Sequence, residues 1–177
     1  DKYSDGIAEE IREIEGEVDK YEDRLGTYIV RLSSRNLSVD DSKTATRLLH
    51  NIGDLERISD HAVNIQEAAK EMTEKGITFS PEAQKELKVI SMAVSEILQL
   101  TYDALISKDL HAATHIEPLE QVIDDLKDQI REKHIDRLQG GKCTIELGFI
   151  LSDLLTNYER VSDHCSNIAA CMIKAAE

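Results

Sequence analysis

The chain has 177 residues and 19.9 kDa, one domain's worth at roughly 100–200 residues each, and enough to bury about 70% of its unfolded surface without staples. Thirty-five acidic against 21 basic residues give a net charge of −14, which argues against a phosphate-binding nucleic-acid face and against an anionic membrane surface. With 41% hydrophobic and 32% charged residues, two prolines and eight glycines, the composition is globular rather than disordered and lacks the punctuation of an all-β fold.

Helical periodicity runs through nearly the whole chain. Ile7, Ile11, Ile14, Val18, Tyr21, Leu25, Tyr28 and Leu32 form one apolar stripe at three-and-four spacing. Asn36, Leu37 and Ser38 interrupt it, and Asp40 or Asp41 is placed to cap a second helix carrying Leu48, Ile52, Leu55, Ala62, Ile65 and Ala69 up to Gly76. Ser80-Pro81-Glu82 starts a third helix, with Leu87, Ile90, Val94, Ile97 and Leu98, that ends near Ser107. A fourth is expected from about Asp109 to Gln139, kinked at Pro118 and stopped by Gly140-Gly141, and a fifth from about Thr144 almost to Glu177. The class is all-α, an antiparallel bundle of about five long helices. No apolar run reaches the ~20 residues of a membrane span, and no targeting pattern is read. Three cysteines without C-x-x-C spacing, Cys143, Cys165 and Cys171, fit a reducing compartment.

An internal repeat organises these helices. The ten residues from Glu56 to Ile65 return from Glu159 to Ile168, 103 positions later, with seven identical and one Ile/Val exchange. Upstream, the block from Glu15 to Asp19 matches that from Glu120 to Asp124 at an offset of 105. Helices one and two therefore repeat as helices four and five. The third helix lacks a partner unless that partner preceded Asp1. The expected layout is a single domain over 1–177, two three-helix repeats, with 1–76 lacking its first helix and 80–177 complete.

Each repeated block carries an acid-x-x-x-acid pair: Glu15 with Asp19, Glu56 with Asp60, Glu120 with Asp124, and Glu159 with Asp163. One such pair is weak evidence, since roughly seven arise by chance in so acidic a helical chain. Their placement says more. At 100° per residue all four lie on the same side of their helices, at the rim of the apolar stripe, where two packed helices bring pairs together. Converging carboxylates about 4 Å apart repel by about 4 kcal/mol per pair at an effective dielectric near 20, so they stay apart, protonate or hold cations. Carboxylate oxygens suit Mg²⁺, Ca²⁺, Mn²⁺ or oxidised iron. Asn64 and Asn167 extend the row, placed to add a carbonyl ligand or to orient one; His61 and His164 point away and read as supporting or packing groups.

Other residues read more plainly. Arg57 and Arg160 fit salt bridges to a neighbouring helix better than anion binding. His111 and His115 share a helix face without a third zinc ligand, His50 and His134 are packing or capping groups, and the cysteines are structural. No nucleotide-binding or nucleophile-elbow motif occurs.

Two E-R-[IV]-x-D-H-x-x-N-I blocks, each about 40 residues after an acid-x-x-x-D block, resemble the PhoU domain family over essentially the whole chain. The resemblance implies two repeated three-helix bundles whose acidic motif pairs hold metal ions, iron, zinc, manganese or magnesium, and a role in restraining phosphate uptake. The implied ligands are Glu15, Asp19, Glu56 and Asp60 in one half and Glu120, Asp124, Glu159 and Asp163 in the other. The stretches from Tyr28 to Ser38 and from His134 to Cys143 are similar to the PhoU-like region that follows the membrane domain of bacterial Na⁺/phosphate cotransporters. That implies a regulatory domain at the cytoplasmic face of the plasma membrane, not an enzyme. Its expected partners are the membrane transport domain of the same parent chain, a homodimer mate, and phosphate held through metal; nucleic acid is not among them. Alternatives are a free-standing PhoU-type negative regulator and a metal-free helical interaction module. A ferritin-like di-metal oxidase is disfavoured, because no histidine has an acid three positions before it.

Overall fold

The computed structural model describes residues 3–176; Asp1, Lys2 and Glu177, ends of the expected 1–177 domain, lie outside the described residues. Five long helices and one short turn of helix account for the described chain: α1 (Asp5–Ser33), α2 (Val39–Lys75), α3 (Pro81–Ser107), α4 (Leu110–Ala113), α5 (Ile116–Gln139) and α6 (Ile145–Ala176). The cap of α2 is Ser38, not Asp40 or Asp41: its hydroxyl accepts from the Asp41 backbone N–H at 3.1 Å. Ser80 caps α3 as its sequence implies, with Pro81 at the first helical position. Gly76 ends α2 in the left-handed region at φ 63°, where a side chain would be strained.

Pro118 breaks the expected fourth helix instead of kinking it. It is the third residue of α5, so its missing N–H falls among the helix-start donors that have no partner anyway. The turn it cannot extend backwards is the separate α4, capped by Asp109, whose side chain accepts from His111 and Ala112 N–H.

The two long helices α2 and α6 run antiparallel against each other, and the rest is attached to them. On α6, α3 and α5 complete a three-helix bundle whose core includes Ile90, Ile97, Ile116, Ile123, Leu151 and Leu155, all fully buried. On α2, by contrast, only α1 packs, and among the described residues α1 touches no other helix. The buried residues of α1, Ala8 and Ile29, flank the expected stripe, while Ile7, Ile14, Tyr21, Leu25 and Tyr28 on the stripe are exposed. Repeat-related positions differ accordingly: Leu25 is 44% exposed where Ile130 is 3%, and Leu48 is 48% exposed where Leu151 is 1%. Total exposed surface is 11355 Å², against about 8,700 Å² expected for a monomer of this mass.

One helix departs from the expectation about membrane spans. By length and composition alone α3 is apolar enough to cross a membrane. Its face of Ile90, Val94, Ile97, Thr101 and Ala104 is instead the core of the three-helix bundle.

Where α5 meets α6, Gly148 lets His134 approach: a Cβ there would stand 2.9 Å from His134 Nε2. Burial, helped by Arg137 and opposed by Glu86, holds the His134 imidazole below its ordinary 6.5. Gly148→Ala is expected to destabilise by about 1–3 kcal/mol despite better helix propensity, read by urea unfolding. The unfolded chain takes up a proton that folded His134 refuses, so this residue's stabilisation is complete above 6.5 and declines as pH falls below it. His134→Gln should flatten that part of the stability–pH profile; an unchanged profile would contradict it.

Candidate metal centre

The seam between α1 and α2 collects the first four acids. Because α1 meets α2 through the flank of its stripe, the acidic rim turns towards the neighbouring helix. One carboxylate oxygen each from Glu15, Asp19 and Asp60 lies within 4.8 Å of the other two. Glu56, one turn before Asp60, neighbours the group without joining it. Burial first, then the Asp60 charge, raises the Glu56 carboxyl above its ordinary 4.5, with Arg57 opposing. Three hard oxygen donors from two helices fit a hard cation.

The seam between α5 and α6 collects the other four, but around a cation of its own. Lys127 Nζ bonds Glu159 Oε1 at 2.6 Å and lies 3.7 Å from Asp124 Oδ1 and 3.8 Å from Asp128 Oδ1. Burial alone would lower the Lys127 pKa, yet the Glu159 hydrogen bond and the surrounding acids together raise it. Glu120 and Asp163 are both shifted upwards, each chiefly by burial and further by neighbouring carboxylates. No group of three ligand atoms as close as that of Glu15, Asp19 and Asp60 forms in this half among the described residues. The expected second set of Glu120, Asp124, Glu159 and Asp163 is thus brought together, but not as a ligand group of the first kind.

The asparagines and arginines next to the acid row have other roles than the sequence implied. Asn64 and Asn167 are not extra ligands: their amide nitrogens donate across the α2–α6 seam, to Asn157 Oδ1 at 3.1 Å and to Asp54 Oδ1 at 3.3 Å. His61 Nδ1 meets Asn157 Oδ1 and His164 Nδ1 meets Asp54 Oδ1, both at 2.8 Å, with the two imidazoles stacked 5.7 Å apart. Asp54 and Asn157 are themselves related by the 103-residue offset, a signal that sequence reading passed over because their identities differ. Arg57 and Arg160 pair within their own helices, Arg57 with Glu56 and Asp60 and Arg160 with Asp163, and not with a neighbouring helix. His111 and His115 stack on each other, and His115 Nδ1 contacts the His111 carbonyl oxygen.

The chain matches the PhoU domain over residues 1–69 and 87–172. It belongs to the PhoU domain family. It is 31% identical over 115 residues to the phosphate-specific transport system accessory protein PhoU homolog 1 of Thermotoga maritima, covering 65% of this chain and 49% of that one. Against the PhoU homolog of Pseudomonas aeruginosa it is 26% identical over 170 residues, covering 95% and 69%. The chain thus spans about half of the first relative and just over two thirds of the second. The crystal structure of Pseudomonas aeruginosa PhoU superposes with a TM-score of 0.87 at 24% identity, over 97% of this chain and 81% of that one. PhoU from Streptococcus pneumoniae gives 0.81 at 19% identity, over 97% and 79%. These confirm the all-helical PhoU fold. The relatives are named as accessory proteins of phosphate-specific transport systems, not as parts of cotransporters, so the matches carry the family and not the narrower cotransporter resemblance.

Clustering of Glu56 with Asp60 has a sign. The folded Glu56 carboxyl holds its proton more tightly than the unfolded one, so stability falls as pH rises from 4.5 through the raised folded value. In EDTA at neutral pH, Glu56→Gln is expected to be more stable than the parent by about 0.2–0.5 kcal/mol. The gain should vanish below the ordinary carboxylate range; a loss of stability at neutral pH would refute the clustering argument.

Proposed function

We propose that the chain is a PhoU-type regulator of phosphate transport that acts by contact, not by catalysis. The observation that carries this is the family match together with an acidic seam that joins α1 to α2 beside an open apolar face. Glu15, Asp19 and Asp60, with Glu56 alongside, would hold a hard cation such as Mn²⁺ or iron. Bound there, the ion supplies neutralisation and a cross-link between two helices. Arg57, its side chain 62% exposed beside Glu56 and Asp60, is placed to meet an anion such as phosphate at that seam.

In the second half α3 covers the face that the first half leaves open; among the described residues of the first repeat, 1–76, no helix of the α3 kind covers it. The occupant we assign to it is an amphipathic helix of the phosphate-transport machinery, at the cytoplasmic face of the membrane. A transport domain on the same polypeptide, as in sodium-coupled transporters, is the second reading. A helix tethered in this way would need little affinity of its own to cover the open face.

Added Mn²⁺ should raise the melting temperature of chelator-stripped protein, since a ligand of the native state alone stabilises it. Glu15→Gln with Asp19→Asn should abolish that rise; an unchanged rise would sink the metal reading. Separately, Leu25→Glu with Tyr28→Glu should leave the helical content intact and release phosphate uptake from control in cells. Uptake that stays regulated would sink the docking reading.

A further inference from the structure

The two acidic seams are related by the repeat but not by charge. At the 105-residue offset Lys127 corresponds to Glu22, so the first half carries an acid where the second carries an ammonium. The Lys127 side chain is only 10% exposed, unusual for a lysine, which is rarely buried unless paired. Its Nζ reaches acids on both helices of the seam, Glu159 on α6 and Asp124 and Asp128 on α5. Asp124 Oδ1 is buried without a hydrogen-bond partner, and the charge that compensates it is this ammonium 3.7 Å away. A metal drawing on Asp124 and Glu159 would have to share their oxygens with the lysine and meet its positive charge at close range.

We infer that Lys127 is the resident counter-cation of the second acidic seam, so that this half is closed to metal and only the first takes up a cation from solution. The sign reversal from Glu22 to Lys127 divides the duplicated fold into a seam open to exchange and a seam that carries its own cation. The statement about the first seam rests on the proposed function; the statement about the second rests on Lys127 alone.

Equilibrium dialysis with Mn²⁺, read by metal analysis on folded protein, separates the two. Lys127→Gln is expected to bind one equivalent more than the parent chain, and adding Glu159→Gln should remove that equivalent. Lys127→Arg, which keeps the charge, should bind no more than the parent. In the chain that retains Lys127, Glu159→Gln with Asp163→Asn should leave bound Mn²⁺ unchanged, a readout that does not depend on the lysine variant folding. Loss of an equivalent in that double variant, or a folded Lys127→Gln protein with no gain, would overturn the inference. An ineffective Glu15→Gln, Asp19→Asn pair would overturn the first-seam reading and leave this one standing.

Discussion

The antiparallel pairing of α2 with α6 is the constraint on which the other helices depend. Each contributes a histidine and an asparagine to the same seam, and each receives the other's pair on the residue seven positions before its own histidine: Asp54 on α2, Asn157 on α6. Two reciprocal clamps around a stacked histidine pair fix the register of these helices along their length. A slip of either helix would break both clamps at once and strand polar side chains in a half-buried seam. The flank left over on each long helix then decides where α1 and α5 can lie, and with them the acidic rows.

From this near-symmetric frame the halves diverge in two ways, and the divergences coincide. The second half has a third helix, a continuous core and an ammonium among its acids. Among the described residues the first shows neither such a helix nor a lysine bridging its acids, and it keeps three of its carboxylates close. Lys127 joins Glu159 on α6 to the acids of α5, whereas among the described residues no ion pair links α1 to α2.

Much of this was legible in the residues. The Glu56–Ile65 and Glu159–Ile168 blocks were legible because duplicated decamers are improbable, and the start of α3 because Ser80-Pro81 has a local physical meaning. What escaped were facts about pairing. A stripe such as Ile14, Tyr21 and Tyr28 announces an amphipathic helix but not which flank of it finds a neighbour. Pro118 reads alike as a kink or a start until the preceding turn is seen to stop at Ala113 and α5 to begin at Ile116. Asn64 and Asn167 resemble ligand candidates because their spacing is that of the acids, yet the angle between rows turns them to a different seam. Lys127 drew no notice because its meaning lies in the contrast with Glu22 and in its burial.

The single-sided attachment of α1 also sets how the molecule loosens. A helix packed on one neighbour only, outside the principal core, is a separate cooperative unit whose opening free energy lies near the low end of those in the protein. Its amides should exchange long before those of α3, α5 and α6, and its departure would leave the histidine clamps and the three-helix core undisturbed. A disturbance confined to α1 therefore costs little, and the rest of the fold is insulated from it.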